Sequence, residues 1–298
     1  MTLDVVMAGA SGLLGRTLAA ELTARGHQVT RLVRRPAGPD ESTWDPYAGS
    51  VDRDLVGSAD VVVNLAGSPL IGNPHSRKWA QSVRQSRVTT TRLLAELMAA
   101  ADQPPAYLAG NGIGYYGDHG DEVVTEESDS RGDSLLASVT QDWQAATDPA
   151  AEAGARVCVL RTSPVLDRAS APMKQLALLF KLGLGAKLGD GGQYFPIISL
   201  RDWVNAVAFL AEHDSISGPV NLCCPTTPTN AEFTRAMAAA VHRPAFLAAP
   251  AFVLRPAAGS MAPELLGSVR ARPAALLDAG FAFLDPDVDA VVAAGLSS

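Results

Sequence analysis

Residues 3–15 read Leu-Asp-Val-Val-Met-Ala-Gly-Ala-Ser-Gly-Leu-Leu-Gly, and this stretch decides the fold. An apolar run ends at Gly9, and leucines at helical spacing follow Gly12, so the pattern predicts a strand, a tight turn and a helix. Glycines spaced Gly-x-x-Gly-x-x-Gly are typical of a loop that holds a pyrophosphate at the positive end of a helix. We expect a nucleotide to contact Gly9, Ser11, Gly12, Leu13, Leu14 and Gly15.

The same strand-and-helix rhythm continues along the chain. Apolar runs predict further strands at residues 28–33, 60–65, 106–109 and 156–160, and helical spacing predicts helices at 76–101 and 135–153. Alternating strands and helices imply right-handed crossovers and a parallel sheet. The fold class predicted is therefore α/β, a Rossmann-type doubly wound parallel sheet with a smaller C-terminal substrate-binding region.

The rhythm changes after Arg161, where glycines become frequent up to Gln193. We therefore predict an NADP-binding domain at 1–163, to which 199–223 returns. A substrate-binding region is predicted at 164–198 and 224–298. Within it, Thr229 and Glu232 have the spacing of a capping box that opens a helix.

Composition excludes several function classes. The 298 residues are 47% hydrophobic and 18% charged, with a net charge of −7, which favours a compact globular protein and disfavours nucleic acid as partner. Three cysteines and five scattered histidines predict neither a disulfide framework nor a metal site. No apolar stretch is long enough to span a membrane, and we expect a cytoplasmic monomer or homodimer that binds a small molecule.

Two arginines follow the second predicted strand, at the place where an NAD-preferring protein has an acid that binds the ribose diol. No acid occurs between Glu21 and Asp40, whereas Arg34 and Arg35 stand where a 2′-phosphate would lie. The planar fork of arginine suits a phosphate. The sequence therefore favours NADPH over NADH, although a solvated surface turn is the alternative interpretation of the pair.

Further segments extend these observations along nearly the whole chain. They read Val-Val-Val-Asn-Leu-Ala-Gly at 61–67, Ser-Arg-Val at 86–88, Gly-Tyr-Tyr-Gly-Asp at 114–118, Gly-Pro-Val-Asn-Leu at 218–222, Asn-Ala-Glu-Phe-Thr at 230–234 and Ala-Gly-Phe at 279–281. With the glycine loop, they resemble the short-chain dehydrogenase/reductase superfamily, in its extended and atypical branch, and specifically its epimerase-like family.

The resemblance implies additional cofactor contacts. A segment such as Asn64, Leu65, Ala66 and Gly67 lines the adenosine and ribose in such proteins, and Arg87 belongs to the same set. The segment Thr162, Ser163, Pro164 and Val165 is similar to one that approaches the nicotinamide. A plain strand end is the alternative interpretation of residues 64–67.

Conventional members of the superfamily use a tyrosine and a lysine four residues apart as a proton relay. No Tyr-x-x-x-Lys occurs in this chain, and Leu136 and Thr140 align with the two positions. Asn111 stands where a serine is expected, and Ser199 where closer relatives usually have a histidine. The remaining catalytic candidates are Asn111, Tyr116 and Ser199. Loop bonding, core packing and helix capping are their respective alternatives.

The missing relay points to a reductase whose substrate helps to supply the proton. A ketone beside a phenol has this property, because the phenol can protonate the alkoxide that hydride attack creates. The pattern resembles the atypical angucyclinone ketoreductases of the simocyclinone type, which implies reduction of a polycyclic aromatic polyketide in antibiotic biosynthesis. The alternatives are a non-catalytic NADP-binding redox sensor and a sugar-nucleotide epimerase-like enzyme.

That substrate would need a wide apolar cleft. We expect the cleft to be formed by residues 169–195 and the region after Pro225. The apolar side chains expected to line it are Met173, Leu176, Leu179, Phe180, Phe246, Phe252 and Met261.

Overall fold

The computed structural model describes residues 1–297, which form two compact units. The first unit comprises Met1–Asn111, Val139–Leu160 and Val204–Val220. The second comprises Gly112–Ser138, Arg161–Trp203 and the described chain from Asn221 onward.

The secondary structure alternates strongly through the first unit and consists of short pieces in the second. The strands are β1 (Asp4–Ala8), β2 (Gln28–Val33), β3 (Glu41–Thr43), β4 (Val61–Asn64), β5 (Ala106–Gly112), β6 (Val123–Val124), β7 (Val157–Thr162), β8 (Val165–Leu166), β9 (Ala186–Leu188), β10 (Ile198–Ser199), β11 (Gly218–Leu222), β12 (Leu247–Ala249) and β13 (Arg270–Ala271). The helices are α1 (Leu13–Ala24), α2 (Arg53–Gly57), α3 (Arg77–Ala99), α4 (Leu135–Ala145), α5 (Asp148–Glu152), α6 (Ala171–Lys181), α7 (Leu200–Glu212), α8 (Asn230–Ala240), α9 (Ala251–Ala258), α10 (Ala262–Leu266), α11 (Ala274–Asp278) and α12 (Val288–Ser297).

A seven-stranded parallel sheet has the order β11-β7-β5-β4-β1-β2-β3, which confirms the predicted Rossmann-like fold. Val5 of β1 pairs with Val29 of β2 on one side and with Val61 of β4 on the other. The chain order therefore reverses between β1 and β4, and ligands of doubly wound sheets bind at the carboxyl ends of the strands at this point.

The core of the first unit explains why these segments are strands. Val61, Val62 and Val63 are at most 2% exposed, as expected for a strand covered on both faces. Helix α3 packs Leu94 and Met98 into the same cluster of buried side chains. The continuous apolar runs of the sequence are the signal of this two-sided burial.

The second unit is built from parallel two-stranded pairs and short helices. The pairs are β10 with β8, β12 with β9, and β13 with β6. Its main apolar cluster joins Met173 and Phe180 of α6 to Phe233 of α8 and Val291 of α12. Thr229 and Glu232 exchange hydrogen bonds with each other's backbone at the start of α8, which confirms the predicted capping box.

Two predicted elements differ from the structure. The glycine-rich segment that ends at Gln193 also contains the helix α6, for which no helix was predicted; Ser170 caps it, and Pro172 lies in the first turn, where a missing N–H costs nothing. The helix predicted at 135–153 is two helices, α4 and α5, separated by Ala146 and Thr147. Pro149 opens the second of them.

The units also divide the chain differently from the predicted domains. Gly112–Ser138 belongs to the second unit, whereas the prediction kept residues up to 163 in the first. The reason is long-range pairing, since Val124 of β6 lies beside Ala271 of β13. Such pairing between short strands far apart in sequence leaves no periodic signal.

The seven side chains predicted to line an apolar cleft have different environments. Met173 and Phe180 are 2% and 3% exposed in the core of the second unit. Phe246 and Phe252 are 91% and 77% exposed.

Among residues 1–297, no helix has the length and apolarity needed to cross a membrane.

Candidate cofactor site

A cavity of about 730 Å³ in the first unit lies at the carboxyl ends of β1, β2 and β4. Its walls are the glycine loop, the end of β2, the β3 segment, the turn after β4 and part of α3. Eight of the predicted cofactor residues lie in these walls. They are Gly9, Ser11, Gly12, Arg34, Arg35, Leu65, Ala66 and Gly67.

The three glycines of the loop have different physical roles. Gly9 has φ +81°, and a Cβ there would lie 2.5 Å from the carbonyl carbon of Leu65. A Cβ at Gly15 would lie 2.3 Å from the carbonyl oxygen of Gly9, so the start of α1 packs directly on the loop. At Gly12 the nearest atom to a Cβ would be 3.6 Å away, an ordinary contact. Gly9 and Gly15 are therefore required by the protein, whereas Gly12 leaves space on the cavity side.

The first turn of α1 is suited to a phosphate. Its N-cap is Gly12, and no side chain caps the helix. The N–H groups of the first turn have no partner inside a helix, and the helix dipole adds partial positive charge at this end. Leu13 and Leu14 open this turn, so their predicted contacts are through the backbone. The residues present therefore fit a bound pyrophosphate.

The two predicted phosphate-binding arginines differ in their partners. Arg35 donates two hydrogen bonds to Glu41, at 2.7 and 2.8 Å, and Arg31 lies 3.5 Å from the same carboxylate. Arg34 lines the cavity and has no hydrogen bond or ion pair to any residue in the range 1–297. Arg34 is thus the guanidinium that is available to an anion, and Arg35 is held beside it.

Glu41 is a wall residue that the sequence did not indicate. It lies on β3 directly opposite Arg31 of β2, and the strand is only three residues long. The hydrogen bonds from Arg35 and from the Gly38 N–H lower the pKa of Glu41 to about 2. The Glu41 carboxylate is therefore ionised at neutral pH and is hydrogen-bonded to Arg35. Trp44 and Tyr47 are further wall residues that carried no sequence signal, and Ser86, from the quoted segment 86–88, also lies in the wall.

Asn64 and Arg87 support the wall from behind. The Asn64 side chain is fully buried; it accepts a hydrogen bond from the Ala66 N–H and donates one to Thr91, both at 3.0 Å. Arg87 donates to the Ser68 carbonyl at 3.1 Å, and burial lowers its pKa to about 10. These bonds hold the 65–68 turn in place, so the two residues act on the cavity through that turn.

The predicted nicotinamide segment lies in the second unit. The Thr162 hydroxyl accepts a hydrogen bond from the Trp203 indole at 3.1 Å, and Ser163 donates to the Leu222 carbonyl at 2.6 Å. Pro164 accepts from the Ile198 N–H, and Val165 belongs to β8. The contact of these four residues with nicotinamide stays a prediction.

The three predicted catalytic side chains are buried and already bonded. Asn111 is 5% exposed and donates to the Thr140 carbonyl at 3.1 Å. Ser199 is 1% exposed and caps α7 by accepting from the Asp202 N–H. Their structural roles are therefore accounted for, and a catalytic role for either stays a prediction.

Tyr116 has the most complete set of partners of the three. Its hydroxyl lies 2.8 Å from the Thr125 carbonyl and 2.7 Å from Asn221 Oδ1, and it accepts from Arg161 at 2.9 Å. The ring is fully buried, and burial raises the pKa of Tyr116 to about 12. A buried hydroxyl with this pKa is a poor proton donor at neutral pH.

We expect Tyr116→Phe to act on stability and to leave turnover unchanged. Removing the hydroxyl leaves buried groups of Arg161 and Asn221 without this partner, which costs about 1–3 kcal/mol of unfolding free energy. Urea denaturation measures the loss. Tyr47→Phe is the matched control, because Tyr47 is 53% exposed and should change stability by less than about 0.5 kcal/mol. Equal stability of Tyr116→Phe and the wild-type protein would contradict the structural role.

Comparisons with known proteins agree with this site. The model of the NAD dependent epimerase/dehydratase family matches residues 5–223, and a domain of unknown function, DUF1731, matches 249–294. An epimerase family protein of Mycobacterium leprae is 44% identical over 94% of this chain and 91% of its own length. The human epimerase family protein SDR39U1 is 33% identical over 97% of this chain and 98% of its own.

A solved structure supports the same relationship. The crystal structure of human SDR39U1 isoform 2 with NADPH has a TM-score of 0.85 and 31% identity to this chain, and the match covers 98% of each. These relatives are called epimerase family proteins, and their names do not support the expected angucyclinone ketoreductase. The more specific resemblance to angucyclinone ketoreductases therefore stays a prediction, since a missing tyrosine and lysine pair does not define a substrate.

The glycine loop, the free first turn of α1 and the reversal of strand order between β1 and β4 together form a site for a nicotinamide dinucleotide, which is the cofactor of the matching family. Residues 5–223 carry the family pattern, and the relatives extend the likeness over nearly the whole chain. This chain belongs to the NAD-dependent epimerase/dehydratase family, within the extended short-chain dehydrogenase/reductases that include SDR39U1.

Proposed function

We propose that this protein binds NADPH in the 730 Å³ cavity and uses it to reduce a carbonyl group of a small organic molecule. The observation that carries the proposal is the charge arrangement at the end of β2. Glu41 is occupied by Arg35, so it is not free to accept the ribose diol, and the Arg34 guanidinium is open to a 2′-phosphate. The human relative was crystallised with NADPH, which agrees with this preference.

The residues of the cavity bind and orient the cofactor. The first turn of α1 would hold the pyrophosphate, and Arg34 the 2′-phosphate. The turn at Leu65, Ala66 and Gly67, which Asn64 supports, would contact the adenosine side. When bound, the reduced cofactor supplies a hydride, and the alkoxide formed on the substrate then needs a proton.

A non-catalytic NADPH sensor is the second candidate. It is favoured by a specific observation, namely that Asn111, Tyr116 and Ser199 are all buried and bonded within the fold. Both candidates predict tight NADPH binding. Only the reductase predicts consumption of NADPH in the presence of a carbonyl compound.

The decisive experiment follows NADPH absorbance with purified protein and a panel of carbonyl compounds. The panel contains simple ketones and aldehydes, sugar-nucleotide 4-ketones, and polycyclic aromatic ketones with a free or a methylated neighbouring phenol. Turnover of any member supports the reductase. Selective turnover of the free phenols would support the finer proposal of a polyketide ketoreductase with a substrate-supplied proton. Silence across the panel with confirmed NADPH binding would favour the sensor.

We expect Arg34→Ala to weaken NADPH binding by about 10- to 100-fold and to leave NADH binding unchanged. Loss of one charge-assisted phosphate contact corresponds to about 1.5–3 kcal/mol. Calorimetric Kd values for both cofactors measure the effect. Arg53→Ala, which removes an exposed arginine of α2 outside the cavity walls, is the control and should change neither Kd. An equal loss for NADPH and NADH would show that Arg34 does not contact the 2′-phosphate.

A further inference from the structure

The second unit carries large apolar side chains that are exposed to solvent and that come from three segments of the chain. The segments are the end of α6 with the turn that follows it, β12 with the residue before it, and α9. We define the apolar patch by six of these side chains, namely Leu178, Leu182, Leu184, Phe246, Leu247 and Phe252. Single exposed apolar residues are normal on a protein surface, whereas a continuous patch marks an interaction site.

Backbone contacts bring the three segments together. Strand β12 pairs with β9, which places Leu247 beside Ala186, two residues after Leu184. The Arg243 side chain donates a hydrogen bond to the Lys181 carbonyl at 3.3 Å, so the chain before β12 lies against the end of α6. Helix α9 follows β12 after a single residue. The side chains of the apolar patch therefore belong to one surface.

Folding of the second unit does not account for this surface. Helix α6 already buries Met173 and Phe180 in the apolar cluster of the unit. Leu178 and Leu182 are four residues apart, so they share a helix face, and that face is exposed. Helix α9 contributes no buried side chain at all. Because the core is made by other residues, the exposed leucines and phenylalanines need a different explanation.

The charge next to the apolar patch is positive throughout. Residues 168–189 contain one arginine, three of the four lysines of the chain and no acid, and residues 233–263 contain three arginines and no acid. This contrasts with the net charge of −7 for the whole chain. Lys174 and Lys181 are exposed on α6, and neither has an ion pair within residues 1–297. These cations are therefore available to an external anionic surface.

Shape and charge favour a lipid bilayer over a second copy of the chain or a bound peptide. In a two-fold interface the same patch faces itself, so the lysines of both copies would meet and repel each other. A peptide groove covers its lining side chains, whereas Phe246 and Phe252 are 91% and 77% exposed and project from the surface. Phenylalanine and leucine bordered by lysine and arginine are typical of segments that lie in a membrane interface.

We propose that the apolar patch docks this protein onto a bilayer that contains anionic phospholipids. Phe246 and Phe252 enter the boundary between headgroups and acyl chains, and Lys174, Lys181 and Arg243 contact the headgroup phosphates. The long stems of these basic side chains let their charged ends reach the headgroup level. The contact is peripheral, and it does not depend on whether the protein reduces a carbonyl compound.

The test measures flotation of the purified full-length protein with lipid vesicles, without cofactor or substrate. Vesicles of equal parts phosphatidylglycerol and phosphatidylcholine are compared with vesicles of phosphatidylcholine alone. We expect binding to the anionic vesicles and at least about 10-fold weaker binding to the neutral ones. Added salt should release the protein, because it screens the attraction between charges. No binding to the anionic vesicles, or equal binding to both kinds, overturns the proposal.

Two variants separate the apolar contribution from the charged one. The double serine variant, Phe246→Ser with Phe252→Ser, should bind anionic vesicles about 100-fold more weakly or less, since burial of each phenylalanine corresponds to about a 10-fold factor or more. The triple glutamine variant, Lys174→Gln with Lys181→Gln and Arg243→Gln, should also lose about 100-fold, at about a fivefold factor for each cation. All five side chains are exposed, so urea denaturation should show unchanged stability in both variants.

Matched controls make the same kinds of change at other places. Leu284→Ser removes an exposed leucine of the same unit that is followed by an acid, Asp285. Arg53→Gln with Arg77→Gln and Lys78→Gln removes an equal charge from exposed positions of the first unit. Neither control should change vesicle binding, and a loss as large as that of the patch variants overturns the proposal.

Analytical ultracentrifugation without vesicles tests the other occupant. A dimer that the double serine variant dissociates, in a protein that does not bind the anionic vesicles, would assign the apolar patch to a second copy of the chain and overturn the membrane proposal. A wild-type protein whose oligomeric state is the same as that of the double serine variant, together with vesicle binding that this variant loses, supports it.

Discussion

Gly12→Ala should weaken NADPH binding by roughly 100-fold and leave the protein folded. The backbone amides at the start of α1 must approach the pyrophosphate closely, and a methyl group at position 12 would stand between them. Loss of two charge-assisted hydrogen bonds at about 1.5 kcal/mol each corresponds to this factor. The protein itself has room for the methyl group, whose nearest neighbour would be the Gly9 carbonyl oxygen at 3.6 Å.

Gly9→Ala is the informative comparison, because it should act first on stability. Its Cβ would lie 2.5 Å from the Leu65 backbone, and φ +81° is strained for any residue with a side chain. Overpacking costs about 1–3 kcal/mol and left-handed backbone about 1–2 kcal/mol, so we expect a loss of about 3 kcal/mol. Calorimetric Kd values and urea denaturation of both variants separate the two effects. Normal NADPH affinity of Gly12→Ala would place the pyrophosphate away from this loop.

Arg161→Met should lower the free energy of unfolding by about 3 kcal/mol, the largest effect that we expect for a residue outside the cofactor cavity. Arg161 is 1% exposed, and its guanidinium lies 3.5 Å above the Tyr115 ring. It also donates to the Tyr116 hydroxyl at 2.9 Å and to the Glu126 carbonyl at 3.3 Å. A cation over an aromatic ring in a desolvated place contributes about 2 kcal/mol, and a buried acceptor that loses its donor costs about 1–3 kcal/mol.

Arg161→Lys should not restore this stability, because a lysine has no planar face that stacks on Tyr115. Arg168→Met is the control. Arg168 is an exposed arginine of the same unit, and its substitution should change the free energy by less than about 0.5 kcal/mol. Urea denaturation at neutral pH measures all three variants. A loss in Arg161→Met no larger than in the control would mean that the stacked arrangement contributes nothing to folding.

The cofactor half of the molecule was largely predictable from sequence because its signals are local. The strand, turn and helix at residues 3–24 follow from apolar spacing and from glycines that the backbone requires. The buried valines of β4 likewise report burial on both faces of the sheet. By contrast, β3 is only three residues long. Its Glu41 accepts a hydrogen bond from Arg35, and no spacing rule predicts this contact.

The amino-acid sequence alone determined the Rossmann-like sheet, the glycine loop and the absence of a Tyr-x-x-x-Lys pair, because each depends on residues that are neighbours in the chain. Tertiary structure decided which arginine stays open to a phosphate and which polar side chains are buried. Ser134 and Glu264 are 130 residues apart, yet they share a hydrogen bond of 2.6 Å. Only the folding of distant segments against each other creates such a contact.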